Sequence, residues 1–337
     1  MADDAAFERV RAGIDLCVQE GVDVIVLSLG PPSTVFDPND PLQVATKSAY
    51  DRNIPVVAAA GNFGPGKLQA LARAPWVVSV GAVDADDRLL PDSSTGPSGG
   101  EGPTLVSYGL PPEIPDPDPR WEKYGPGTSF AAPAVAGVAA FVRACLRLII
   151  TDLAAQQSMR WSSMSESVKV PVVGIVDTGV DPTRLPPLPP TARWDAQHGH
   201  TQFQFSRTEG EKHWYARLVD ALKDAGAACT LTDGPEPVRR ALQLMARRLE
   251  GYADHEVGAG LVSIDEAQAF LSSLTPARWL AVFCPEALEK LGAARAAELN
   301  TALGPLWDAD KVVAPVSYTH LRAHETPEHL VCRLLLE

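Results

Sequence analysis

Positive charge is in short supply in this chain. Lys and Arg number 29 against 42 Asp and Glu, a formal net charge of −13, which argues against nucleic acid as the main partner. Long apolar runs are missing too, and none reaches the roughly 20 residues that cross a bilayer, so no membrane partner is expected. The opening stretch MADDAAFERVRAGID reads as a charged helix start rather than a secretory leader. Cysteine is sparse and scattered: Cys17, Cys145, Cys229, Cys284 and Cys332 form no CxxC pair and no metal-like spacing. Free or buried thiols are therefore the expectation. Histidine is absent from the whole first half of the chain, His198 being the first.

What is present describes a globular α/β protein. With 337 residues, 45% hydrophobic and 21% charged, there is core enough for one large domain or two smaller ones. Phe7, Val10, Ile14 and Cys17 share one face of a helix over Asp4–Glu20, which Gly21 stops. VDVIVLSLG (Val22–Gly30), IPVVAAAGN (Ile54–Asn62) and WVVSVGAVD (Trp76–Asp84) read as buried strands, with a helix PLQVATKSAYDRN between the first two. Strands alternating with helices predict a mainly parallel sheet. Residues 85–126 are rich in Gly, Pro, Ser and Asp and read as surface loops. Ser129 to about Ile150 reads as a long helix of small residues, and residues 151–169 as a polar connector. Helices are also expected over 212–229 and 236–249.

The strongest chemical signal is GTSFAAPAVAG, Gly127–Gly137. A serine between a flexible Gly-Thr turn and a helix of small residues emerges at a helix N-terminus, where backbone N–H groups favour developing negative charge. A Ser/Thr cap on a buried helix accounts for any three of these residues, but not for all of them. The whole pattern resembles the serine motif of the subtilisin-like serine proteases, the subtilases (peptidase family S8). AAAGNFG resembles that family's oxyanion motif and VDVIVLSLG its substrate strand. VGAGLVSIDEAQAFL (Val257–Leu271) is similar to the closing segment of its catalytic domain. The resemblance implies an α/β, three-layer subtilisin-like fold with a mainly parallel sheet, incomplete or rearranged. It implies a serine endopeptidase in which Ser129 is the nucleophile and Asn62 donates to the oxyanion. Ser28, Leu29, Gly30, Gly61 and Thr128 line the path of a peptide or protein substrate, and no cofactor is called for.

In that family an aspartate and a histidine precede the serine; here neither motif does. Instead VVGIVDTGVDP, ending a β-branched run in Asp177, resembles the aspartate motif but follows the serine in sequence. Triads are defined by geometry and not by chain order. The histidine motif has only a partial counterpart in QHGHTQFQF, where His198-Gly199 matches and the small-residue helix behind it does not. His255 is expected to pack near the closing turn. Two readings stay open. Either Asp177, His198 and Ser129 converge in a permuted chain, or the acid and base belong to a part of the protein that precedes this chain, leaving a catalytically incomplete fragment or a peptide-binding pseudoprotease. The expected divisions are a subtilase core at 1–150, an inserted or rearranged segment at 151–235 and a closing segment at 236–275. A helical extension at 276–314 and an adapter-like tail at 315–337 follow. The acidic loops DPNDP and DADD read as solvated turns, so no metal site is expected.

Overall fold

The computed structural model describes residues 4–110, 125–157, 173–176, 221–222, 224, 226 and 232–310. Helix α1, Asp4–Glu20, ends where the sequence predicts. Gly21 takes a left-handed φ of 64°, Val22 N donates to Cys17 O (3.2 Å) and Gly21 N to Val18 O (3.3 Å), a Schellman ending. Strand β1, Val24–Leu27, follows. Helix α2, Pro41–Asp51, opens on Asp40, whose side chain accepts from Leu42 N and Gln43 N, with Pro41 at the position where a missing N–H costs nothing. Strands β2, Val56–Ala59, and β3, Val77–Val83, are buried along their whole length.

Strand β4, Leu105–Tyr108, lies inside the stretch expected to be loop only. Its four residues are too few to show a period among Gly, Pro and Ser neighbours, and its burial comes from a distant segment. Val106 N donates to Gly260 O and Val262 N to Val106 O, both at 2.9 Å, so the closing segment adds to the β4 edge. That approach requires glycine at 260, where φ is 121° and a Cβ would sit 2.3 Å from Arg247 O.

Helix α3, Thr128–Gln157, runs past the expected end into the segment read as a connector. Strand β5, Val173–Val176, then joins the sheet. The strand order is β4-β3-β2-β1-β5, and every named pairing is parallel. The two-residue period sorts the sheet's side chains between two helical layers. Ile25, Leu27, Val56 and Ala58 pack with α1 and α2, while Val24, Val26, Val57 and Ala59 face α3. Helices α4 (Pro235–Met245), α5 (Ile264–Ser272) and α6 (Pro276–Phe283), and α7 (Pro285–Asp310, broken at Gly292), add to the α3 side. Trp279, Leu280 and Phe283 of α6 belong to the same core as the sheet, so these helices are not an appendage to it. The thiol expectation needs correction at one position. Cys17 is free, but Cys284 is disulfide-bonded; bridging depends on Cα separation in the fold, which scattered spacing does not reveal.

A buried ionic group ties α3 to the segment entering α4. Arg143, side chain 5% exposed, donates from Nε to Asp233 (3.0 Å) and from Nη2 to Asn53 O (2.7 Å), and also reaches Asp23 O through Nη1. Arg147 pairs with both Asp233 and Asp23. Burial raises the Asp233 carboxyl, but the charge of Arg143 and hydrogen bonds from both arginines outweigh it and hold the group below its ordinary range. A depressed carboxyl stabilises the fold above its unfolded pKa, and that contribution fades as pH falls from about 4 through the folded value. Asp233→Asn leaves Arg143 and Arg147 with Asp23 as their remaining carboxylate and is expected to cost about 1–3 kcal/mol at pH 7. Urea denaturation should show that difference shrinking as pH is lowered below about 4; a difference that stays constant down to the acid transition would contradict the assignment.

Candidate active site

Three segments meet at the carboxyl ends of the parallel strands, where open α/β sheets hold ligands. They are Ser28–Gly30 beyond β1, Ala60–Asn62 beyond β2, and the first turn of α3. Thr128, fully buried, joins two of them. Its backbone N and its Oγ1 both donate to Asn62 Oδ1 at 3.0 Å, while Oγ1 accepts from Gly61 N at 3.3 Å. Thr128, expected on the substrate wall, fixes the neighbouring amide. With Oδ1 holding two donors, the Asn62 carboxamide has one orientation, and its Nδ2 is left as the donor. Asn62 is itself exposed.

Glycine at 127 leaves the Asn62 amide undisturbed by the turn that delivers Ser129. Gly127 N donates to Gly109 O at 2.7 Å, and a Cβ on Gly127 would lie 3.0 Å from Asn62 Nδ2. Ser129, half-buried, donates from Oγ to Ser28 O at 3.1 Å, which brings the serine to the first residue of the segment beyond β1. Beneath it the helix loses a bond, because Pro133 has no N–H to return to the Ser129 carbonyl.

Residues that the sequence did not single out complete the support. Ser94 Oγ accepts from Phe63 N at 3.0 Å and Ser94 N donates to Gly61 O at 2.8 Å, clamping the chain on both sides of Asn62. Gln69 reaches from Ala60 to Pro31. No spacing marks either residue, because their side-chain partners lie 31 and 38 positions away.

The acid and base candidates fare differently. The strand leading to Asp177 is in place: β5 pairs with β1, Val173 opposite Val24 and Val176 opposite Leu27. Asp177 and His198 themselves lie outside the described residues. His255, the one histidine among the described residues, sits in the single turn Asp254–Val257, and its carbonyl accepts from Gly96 N at 2.8 Å. In the acidic loops, Asp37, Asp40 and Asp84 accept from nearby backbone N–H groups. Among the described residues no group of three or more His, Cys, Asp or Glu is placed to hold a metal, and no helix is long and apolar enough to cross a membrane.

A hydroxyl at a helix start beside a fixed amide donor is equipment for stabilising an oxyanion, and the family model described as "Subtilase family" matches residues 3–166. Residues 3–166 are similar to the subtilases. The M-protease of Shouchella clausii is 35% identical over 134 residues, 40% of this chain and 33% of that protein. Subtilisin Savinase of Lederbergia lenta is 34% identical over 134 residues, 40% of this chain and 46% of that protein. The subtilisin-like protease SBT1.2 of Arabidopsis thaliana is 41% identical over 81 residues, 24% of this chain and 10% of that protein. The chain thus spans less than half of the length of each of these subtilases. Among solved structures, the prenylagaramide maturation protease PagA aligns at 20% identity and a TM-score of 0.44, over 79% of this chain and 70% of that one.

The subtilase segment depends on Thr128 in a way that can be measured. Thr128→Val removes the acceptor of the Gly61 N–H and one of the two donors to Asn62. Chemical denaturation should register a loss of about 1–3 kcal/mol. The Asn62 side-chain amide resonances should narrow toward those of a solvated amide; unchanged stability and shifts would mean that the hydroxyl does not hold Asn62.

Proposed function

We propose that the chain carries the reaction centre of a subtilisin-type serine endopeptidase, hydrolysing peptide bonds through an acyl-enzyme on Ser129. The observation that carries this reading is the orientation of Asn62 by Thr128, next to Ser129 at the start of α3. The substrate lies extended along Ser28–Gly30 with Gly61 on the other wall, pairing its backbone as an added strand. Ser129 Oγ attacks the scissile carbonyl carbon, and its proton passes to a base. Asn62 Nδ2 and the Ser129 N–H hold the oxyanion; collapse expels the amine, which takes the proton back, and water then cleaves the ester.

The Ser28 carbonyl that now accepts from Ser129 cannot take its proton, so the reading needs a histidine, assigned to His198. The acid is assigned to Asp177, which would orient that histidine and stabilise its imidazolium. Support for Asp177 comes from register: β5 runs parallel beside β1 and ends at Val176 opposite Leu27, one residue before Ser28. A second reading, a peptide-binding module without turnover, is favoured by the Ser129–Ser28 hydrogen bond, which turns the hydroxyl toward backbone.

A fluorophosphonate probe separates the two. Labelling of the purified chain that Ser129→Ala abolishes and Asp177→Asn reduces at least a hundredfold is the expected result. Asn62→Ala should lower peptide turnover by about 10²–10³. A folded chain that binds peptide but takes no label would establish the module instead.

A further inference from the structure

One side chain crosses the cleft between the ends of β1 and β2, and the proposed reaction does not use it. Gln69 is 4% exposed. Its backbone N–H donates to Ala60 O at 3.0 Å, and its Nε2 donates to Pro31 O at 2.9 Å. The residue therefore spans from one wall of the cleft to the other. Its carboxamide occupies the place of a side chain on Gly30, where a Cβ would lie 2.7 Å from Cδ and Oε1 and 2.8 Å from Nε2. On the opposite wall, a Cβ on Gly61 would lie 3.3 Å from the Gln69 Cβ. Both walls are bare at these positions, and Gln69 fills the space they leave.

The amide cannot turn over without setting Oε1 against the Pro31 carbonyl, acceptor to acceptor. Oε1 is buried and has no hydrogen-bond partner among the described residues. Burying an unmet acceptor is costly, and an aliphatic side chain would fill the same volume without that cost. What an aliphatic residue lacks is the bond to Pro31, which holds the side chain across the cleft.

We infer that Gln69 determines specificity: it closes the cleft to large side chains, so that the substrate residue whose carbonyl is attacked is small, namely glycine, alanine or serine. The inference rests on the reading of Ser129 and Asn62 as the reaction centre. A carbonyl held between those two residues lies next to Gly61 and close to Ser28–Gly30. The side chain on the same substrate residue is the one that meets Gln69. A benzyl group there has to displace the carboxamide and break its bond to Pro31, whereas a methyl group does not.

Binding to the full chain carrying Ser129→Ala tests this without turnover. Extended peptides differing only in Ala, Phe or Gln at the acyl position are titrated by calorimetry. The Ala peptide is expected to bind at least tenfold tighter than the Phe peptide. Adding Gln69→Gly should reverse that order by tenfold or more, while Gln69→Met, which keeps the bulk but loses the bond to Pro31, should fall between the two. Circular dichroism melts of each variant identify any that fails to fold. Equal binding of Ala and Phe by the chain with Gln69 intact would overturn the inference, as would tighter binding of the Gln peptide, which would mean that Oε1 reads a donor. If no peptide binds the folded chain, the reading of this cleft as a substrate site falls, and the inference falls with it.

Discussion

Helix α3 can lie close on the sheet because the face it turns inward carries little more than methyl groups. Ala131, Ala132, Val135, Ala136 and Ala139 are all fully buried against β-strand residues such as Val24, Val26, Val57 and Val80. Small side chains shorten the distance between helix and sheet, and tight packing forbids sliding, since interiors are close-packed and a single added methylene is felt. Position along the helix is therefore fixed, and with it the point at which its first turn emerges. That point is the carboxyl end of β1 and β2. Bulkier residues on this face would lift the helix, and Ser129 would leave the reach of Ser28 without any change in the site's own residues.

Packing fixes the height of that turn, and hydrogen bonds fix its direction. The Thr128 hydroxyl gives to Asn62 and takes from Gly61, so one buried group couples the start of α3 to the end of β2. An exposed amide on a strand end would ordinarily sample several rotamers at a cost in side-chain entropy on binding. Here that cost is met during folding, which is the condition for a donor to serve a developing charge without reorganising. The ionic group around Arg143 does comparable work for the C-terminal helices, which it joins to α3 through Asp233. The helical layer below the site thus depends on residues more than 80 positions apart in sequence.

Much of the described fold could be read from the sequence. The apolar runs of β1, β2 and β3 are long enough, and free enough of polar interruption, to mark strands buried on both faces. The α1 helix announces both its face and its Gly21 stop. Strand β4 could not be read this way, because Leu105–Tyr108 is held between β3 on one side and Gly260 and Val262 on the other and carries no period of its own. The same holds for the site. Ser129 and Asn62 sit in motifs with local order, whereas Thr128 as an anchor, Ser94 as a clamp and Gln69 as a bridge act through partners that local sequence does not name. A disulfide at Cys284 was hidden for a related reason, since scattered cysteines are brought together only by the fold.

Chain order is the remaining puzzle, and the sheet supplies the physical terms for it. Parallel strands pair through backbone groups, so a sheet edge accepts any strand of suitable register wherever it falls in the sequence. Beyond β1 lies the edge strand β5, which is in contact with both α1 and α3. Helix α3 begins beyond the carboxyl ends of β1 and β2 and packs on all five strands before β5 takes the edge beyond β1. Nothing in that path requires the acid to precede the serine. What a carboxylate needs is a strand end beside Ser28, and a strand that arrives last can provide it as well as one that arrives first.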